Sequence, residues 1–307
     1  MVITAAMVKE LRNKTGVGVM DCKKALTETD GDMDKAIEFL REKGLATAEK
    51  KSDRIAAEGI VSAVVKGETL AVIVEVNSET DFVAKNDKFQ SFVSGVAETI
   101  ISADVKDVEE LASKPWINDT SKTVKEELVS QISVIGENMT IRRFEKISTD
   151  NGIIVPYIHG GGRIGVLVQA ETDVVNAEVK EALKNVAMQI AALYPKYVSR
   201  DEISEDYIAH ETEILKAQAK NENPNKPDNI IEKMIIGRLN KELKEVCLLD
   251  QSYVKDGDLT VSKYLDQVSK EVGGTIKVVK FVRFETGEGL EKKEENFAEE
   301  VAKQMGN

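Results

Sequence analysis

Two stretches of sequence decide the fold: GIVSAVVKGETLAVIVEV at residues 59–76 and GIIVPYIHGGGRIGVLV at residues 152–168. Each contains two β-rich apolar runs separated by a glycine-containing turn, which is the pattern of a β-hairpin. Each hairpin is followed by a Glu-Thr-Asp triplet, at residues 79–81 and 171–173, and then by a helical pattern whose apolar positions match at an offset of 90 residues. This self-similarity indicates an internal repeat.

The two halves of the repeat also end in the same way. In each, a helical pattern and a glycine precede a last strand-like run: residues 128–135, Gly136 and 140–144 in the first half, and 264–272, Gly273 and 276–284 in the second. A three-stranded antiparallel sheet covered by helices on one face would bury these patterns. We therefore predict an α+β fold with two core subdomains, the first at residues 56–147 and the second at residues 148–200 and 248–284.

The segment that interrupts the second half, residues 201–247, carries two narrow apolar stripes at helical spacing. Residues 221–228 lie between the stripes and contain two prolines, which force a turn. Two such helices joined by a tight polar turn are typical of an antiparallel coiled-coil hairpin. We therefore predict such a hairpin over residues 201–247. It either projects from the core subdomains or packs back against them.

Residues 1–55 are interpreted as a separate unit of three short helices. Thr4 is expected to cap the first helix, Asp21 to open the second, and Asp32 to cap the third, which is expected to end at Gly44. The unit holds 11 Lys/Arg against 10 Asp/Glu, so it is near neutral in a chain of net charge -12. The charged, alanine-rich residues that follow are expected to form a helical or flexible linker.

The last segment, residues 285–307, carries seven acidic residues against three lysines. Phe297 and Val301 are four residues apart, so we expect a short C-terminal helix in this acidic module. A disordered acidic tail is the alternative.

The composition of the 307-residue chain limits the classes of function. A net charge of -12 and an aromatic content of 5% disfavour a protein that grips phosphate backbones or stacks on bases. The longest purely apolar run, residues 70–74, is far below the roughly 20 residues of a membrane helix, and the start lacks the pattern of a signal peptide. The two cysteines, Cys22 and Cys247, are typical of reduced thiols. We therefore expect a cytoplasmic protein that binds neither membranes nor, directly, nucleic acid.

Signals for enzymatic chemistry are weak. The chain has no phosphate-binding loop of the form Gly-x-x-x-x-Gly-Lys-Ser/Thr, and its two histidines, His159 and His210, lack metal-ligand spacing. The sequence HGGG at residues 159–162 is similar to the oxyanion loop of some esterases, but without a serine elbow it is better explained as a hairpin turn. We expect no enzyme activity, no catalytic residue, no bound metal and no cofactor.

The sequence TDFV at residues 80–83 stands out because the repeat diverges there: Phe82 corresponds to a valine in the second half. Thr80 or Asp81 could cap a helix, as Asp173 could in the second half, but a cap does not require an aromatic residue beside the carboxylate. An exposed phenylalanine can fill a pocket of a partner and gain about 1.5–3 kcal/mol by burial. We therefore predict that this segment acts as a wedge against a partner protein.

Four segments resemble signatures of a known family, bacterial elongation factor Ts. They are TGVGVMDCKKAL at residues 15–26, ETDFVAKN at 79–86, HGGGRIGVLV at 159–168 and LLDQSYVKD at 248–256. The resemblance spans nearly the whole chain, although Val17 and Val19 stand where family members often carry Ala and Met. It implies that the three-helix unit is similar to a ubiquitin-associated domain.

The resemblance also implies a function. A chain of this kind would be a guanine-nucleotide exchange factor that binds elongation factor Tu with GDP and promotes GDP release, so that GTP can load during translation elongation, a stage of protein biosynthesis. The loop that would dislocate Mg²⁺ from the partner GTPase comprises Thr80, Asp81, Phe82 and Val83.

Partner docking is assigned, by the same resemblance, to Arg12, Met20, Lys23 and His159. Core packing is the alternative for Met20, and turn geometry is the alternative for His159. The rival function is a non-exchange adaptor or scaffold that binds partners through its three-helix unit. Whether two copies of the complex associate as a homodimer is left open.

Overall fold

The computed structural model describes residues 2–291, which begin with a unit of three helices. These helices are α1 (Ala5–Thr15), α2 (Val19–Glu28) and α3 (Met33–Lys51). Their apolar faces meet in a small buried cluster that includes Leu11, Cys22, Leu26 and Leu40. The predicted caps Thr4 and Asp32 are present, because their side chains accept hydrogen bonds from backbone N–H groups in the first turns of α1 and α3. The prediction that Asp21 opens the second helix is wrong, since α2 begins at Val19 and follows Gly18.

The rest of the described chain forms two halves with the same order of elements. The first half contains β1 (Glu58–Lys66), β2 (Leu70–Ser78), α4 (Asp81–Ala84), α5 (Asp87–Ser102), α6 (Val108–Ala112), β3 (Pro115–Trp116), β4 (Asp119–Thr123), α7 (Val124–Ile135) and β5 (Met139–Ser148). The second half contains β6 (Gly152–His159), β7 (Ile164–Thr172), α8 (Ala177–Leu193), α9 (Glu205–Glu222), α10 (Asp228–Val246), β8 (Ser252–Tyr253), β9 (Asp256–Thr260), α11 (Val261–Val272) and β10 (Ile276–Glu285). The two-stranded pairs β3–β4 and β8–β9 are additions to the predicted fold.

The two main sheets repeat one another, including their irregularities. The first has the order β1-β2-β5 and the second the order β10-β7-β6, with antiparallel pairing throughout. Gly59 and Gly152 both have positive φ and both lie so close to the next strand that a Cβ would overlap its backbone. A bulge interrupts the last strand of each sheet at matching positions, Arg142 and Val279. The predicted α+β class and the internal repeat are confirmed.

The two sheets pack face to face, so the expectation that each sheet is covered on one face only by helices is incomplete. In β2, Val72 and Val74 belong to the cluster under α5, whereas Ala71 and Ile73 belong to a cluster shared with the second sheet. The shared cluster also contains Val61, Ile147, Ile154, Leu167, Val282 and Phe284. Because side chains alternate along a strand, the same strands bury both faces, and the layers follow the order helices, sheet, sheet, helices.

α3 does not end at Gly44, and that prediction is wrong. The helix continues through Gly44 to Lys51, and the position of a Cβ on Gly44 would lie 3.6 Å from a methyl carbon of Val129 in α7. The glycine therefore marks the contact between α3 and α7. It does not adopt the left-handed conformation of a glycine that ends a helix.

The predicted coiled-coil hairpin is formed by α9 and α10, which are joined by residues 223–227. Its buried residues, among them Leu215, Ala219, Ile231 and Ile235, form a cluster of their own. Among the described helices, none is both long and apolar enough to cross a membrane. The C-terminal helix expected around residues 297–301 lies outside the described residues.

A buried carboxylate closes one end of the contact between the sheets. Glu75 in β2 is fully buried, and its oxygens accept hydrogen bonds from Arg142 Nη1 at 3.0 Å, Arg143 Nε at 2.7 Å and the Gly287 N–H at 2.8 Å. The bulge at Arg142 allows two consecutive arginines to reach one carboxylate. Residues 286–288, which follow β10, are thereby tied to the first sheet.

Replacement of Glu75 by alanine is expected to destabilise the chain by about 3–5 kcal/mol, because both arginines would lose a buried partner. Urea denaturation followed by circular dichroism measures this change. The matched control is Glu145→Ala, which removes an exposed pair with Lys280 at 2.6 Å and should cost less than about 1 kcal/mol. Equal losses for the two variants would contradict the structural role of Glu75.

Candidate functional site

The candidate site is the turn that follows β2. The Thr80 hydroxyl accepts a hydrogen bond from the Val83 N–H at 3.4 Å and so caps the single turn α4. Val83 and Ala84 are buried beneath this turn, whereas the side chain of Phe82 is 80% exposed. The cap and the two buried residues hold a large apolar side chain in water, which is the arrangement predicted from the sequence.

A second set of contacts fixes the turn to the start of β5. Glu137 accepts hydrogen bonds from the Thr80 N–H at 3.0 Å and from the Thr80 hydroxyl at 2.7 Å. Glu79 accepts one from the Asn138 N–H at 2.6 Å. The Asn138 side-chain amide in turn donates to the carbonyl oxygens of residues 52 and 54, just beyond α3. The turn is thus linked to both the first sheet and the three-helix unit.

Sequence reasoning missed Glu79, Glu137 and Asn138. A signal was nevertheless present, since Glu137 follows Gly136 at the position where Gly274 follows Gly273 in the other half. Glu137 is therefore a position at which the two halves differ, with a carboxylate in place of a glycine. It binds the segment that contains Phe82, where the halves also differ.

The charge of Asp81 is partly compensated by Lys85, the residue that follows α4. Lys85 Nζ lies 2.8 Å from Asp81 Oδ2, and both side chains are exposed. The hydrogen bond from the Lys85 ammonium holds the pKa of Asp81 below its ordinary value. The carboxylate is therefore ionised at neutral pH, and because exposed ion pairs are weak, another cation or dipole could displace Lys85 at low cost.

The predicted HGGG turn connects β6 to β7, and its histidine is exposed. Tyr157 Oη lies 2.9 Å from His159 Nδ1. Gly162 has a φ of 103°, and a Cβ there would lie 2.8 Å from Cβ of Ile60 in β1. The Val61 N–H also donates to the Gly162 carbonyl oxygen at 2.7 Å, so the turn of the second sheet is seated on the first sheet.

The packing of the sheets brings the α4 turn and the HGGG turn to one cleft of about 200 Å³. Asp81, Ala84 and Lys85 lie on one wall, and Gly160, Gly161 and Arg163 lie on the other. In the sequence, Asp81 and the HGGG turn belong to separate motifs. Their juxtaposition is a property of the folded chain.

The other predicted docking residues lie on the three-helix unit. Met20 in α2 is 75% exposed, so core packing does not explain it. Lys23 lies one turn further along the same helix and is exposed, as is Arg12 in α1. Since residues three apart share a helix face, Met20 and Lys23 present one mixed apolar and basic surface.

The predicted cap at Asp173 is wrong. Asp173 Oδ1 accepts hydrogen bonds from the Thr275 N–H at 2.6 Å and the Thr275 hydroxyl at 3.1 Å, and Asn176 caps α8 instead. Within residues 2–291, no group of three His, Cys, Asp or Glu side chains is placed so that it could hold a metal ion.

The chain is similar to known proteins over nearly its whole length. A family model described as Elongation factor TS matches residues 79–288. The chain is 56% identical over 304 residues to Elongation factor Ts of Clostridium novyi (strain NT), which covers 99% of both chains. It is 56% identical over 307 residues to Elongation factor Ts of Clostridioides difficile (strain 630) and 54% identical over 305 residues to that of Clostridium botulinum (strain Eklund 17B / Type B), again with 99% of each chain covered.

The seating of the HGGG turn can be tested with two glycines that differ in their surroundings. Gly162→Ala should lower the free energy of unfolding by more than about 2 kcal/mol, because the added methyl group overlaps Ile60 and the backbone has positive φ. Gly161→Ala is the control: it has a φ of 66° but nothing within 4 Å, so the cost should be about 1 kcal/mol. Thermal unfolding monitored by circular dichroism gives both values, and a smaller loss at Gly162 than at Gly161 would contradict the contact.

Proposed function

The chain belongs to the elongation factor Ts family, and from that premise we propose that it is a guanine-nucleotide exchange factor for elongation factor Tu. It binds the GDP-bound partner, disturbs the site that holds Mg²⁺ and phosphate, and so promotes GDP release and GTP loading in translation elongation. The observation that carries the proposal is Phe82, an apolar side chain held in water on a turn that is anchored at both ends.

The burial of Phe82 contributes free energy only in the complex with the partner. Phe82 is 80% exposed, and transfer of such a side chain into a pocket of the partner contributes about 1.5–3 kcal/mol. Val83 and Ala84 are buried and keep α4 fixed beneath it. Because the turn is already ordered, little conformational entropy is lost when it inserts.

Asp81 supplies the charge that acts beside the wedge. A GTPase holds its nucleotide partly through Mg²⁺, which bridges protein and phosphate oxygens. A carboxylate brought next to that site repels the phosphates and competes for the ligands and dipoles around the ion. The role we propose for Thr80 is to set the direction of α4, so that Asp81 and Phe82 enter together.

Exchange also requires binding surfaces away from the wedge. By linkage, a factor that weakens nucleotide binding is itself bound more weakly by the nucleotide-loaded partner, so it needs high affinity for the empty state. We assign that affinity to Arg12, Met20 and Lys23 on the three-helix unit and to His159 in the HGGG turn. Association of two such complexes as a homodimer stays a prediction.

We propose further that the chain is not an enzyme and binds no cofactor. Displacement of a nucleotide breaks no covalent bond. The free energy of binding between the chain and its partner is therefore sufficient for exchange. The net charge of -12 supports a partner that is a protein and not a nucleic acid.

The wedge is tested by stopped-flow release of fluorescent GDP from elongation factor Tu. Phe82→Ala should lower the release rate at saturating factor by about tenfold or more, the kinetic equivalent of the lost burial. Val175→Ala is the matched control: it removes another exposed apolar side chain, 47% accessible, just past the end of β7 that lies away from the cleft. It should exchange like the parent.

Two outcomes would contradict the proposal. Phe82→Ala could release GDP as fast as the parent, which would remove the wedge. Alternatively, the immobilised chain could capture elongation factor Tu equally well with and without excess GDP, which would favour the adaptor function over exchange.

A further inference from the structure

Each half of the repeat must join the loop after its second strand to the loop before its last strand. In the second half, Asp173 makes this connection by accepting two hydrogen bonds from Thr275. In the first half, Glu79 accepts one hydrogen bond in the same direction, from Asn138. Glu137 adds a connection in the opposite direction by accepting two hydrogen bonds from Thr80. Asp81, the counterpart of Asp173, is thereby not needed for this connection between the loops. Its side chain is exposed and pairs with Lys85.

The difference between the two halves extends to Phe82. Its counterpart in the repeat, Val174, packs directly against Gly274, where an added Cβ would overlap the valine side chain. Glu137 occupies the position equivalent to Gly274. In the first half the residue at that position binds Thr80, and Phe82 is exposed, whereas Val174 is partly buried.

Consecutive hydrogen bonds connect Glu137 through Thr80 to α4, which carries Phe82. The Thr80 hydroxyl donates its one proton to Glu137 Oε1 and keeps its lone pairs for the Val83 N–H. The Thr80 N–H donates to the other carboxylate oxygen, so the residue before α4 is held at two points. Hydrogen bonds to a carboxylate are stronger than those between neutral groups.

We infer that Glu137 is a positioning residue for exchange: it fixes Thr80, and through Thr80 it fixes the direction in which Phe82 and Asp81 project. The inference rests on the proposed exchange function. It assigns Glu137 a role through Thr80 and not through contact with nucleotide or Mg²⁺.

The test measures two quantities for each variant. They are the rate of GDP release at saturating factor and the concentration of factor that gives half of that rate. Glu137→Ala should lower the saturating rate by about tenfold, since two charge-assisted hydrogen bonds are lost, while the half-saturating concentration should change by less than about threefold because the docking residues remain. Glu137→Gln keeps one acceptor oxygen and should recover part of the rate. Full activity of Glu137→Ala would overturn the inference.

Asp173→Ala is the matched control for a merely structural effect. It removes the equivalent two hydrogen bonds in the second half, where no exposed aromatic residue depends on them. It should lower the unfolding temperature about as much as Glu137→Ala and yet release GDP at the parent rate. An equal loss of rate in both variants would show that reduced stability is the cause, and would overturn the inference.

A double-mutant cycle separates positioning from an independent action of Glu137. In a Phe82→Ala, Asp81→Ala background, Glu137→Ala should cause no further loss of rate, because nothing remains to be positioned. A further tenfold loss would overturn the inference. If the parent chain itself fails to accelerate GDP release, the proposed exchange function is what fails, and the inference falls with it.

Discussion

Apolar contact between the two repeated sheets is the interaction on which the remaining architecture depends. Side chains such as Val61, Ile73, Leu167 and Phe284 are removed from water only when the sheets lie face to face. Because strand side chains alternate, this contact directs the other apolar residues to the outer faces, where α5 and α8 cover them. The same packing seats the β6–β7 turn on β1 and so creates the cleft beside Asp81.

Much of this fold could be predicted from local sequence patterns. The strands, the helices, the repeat and the hairpin each have a periodicity or a cap within a short segment. The contact between the sheets could not, because the pattern around Ala71 and Ile73 shows that a face is apolar but not what covers it. Gly44 was misjudged for a related reason: a glycine that permits contact with another helix has the same local sequence appearance as one that ends its own.

The candidate site likewise contains residues that could be predicted from the sequence and residues that could not. Phe82 could be identified because the duplicated segment supplies an internal reference, and a difference between the copies indicates a position with a separate task. Glu137 was missed because it lies 57 residues from Thr80 along the chain, and Asp173 was misread because its partner, Thr275, lies 102 residues away. Contacts of that range follow from tertiary packing, which periodicity does not encode.

We propose that the α4 turn and the HGGG turn form one face that meets elongation factor Tu. Hydrogen–deuterium exchange of the chain, free and in its nucleotide-free complex, tests this directly. Amides at residues 79–86 and 159–163 are expected to become protected together with those of α2. Amides at residues 173–175, past the opposite end of β7, are expected to exchange as in the free chain. Unchanged exchange at residues 79–86 in the complex would contradict it.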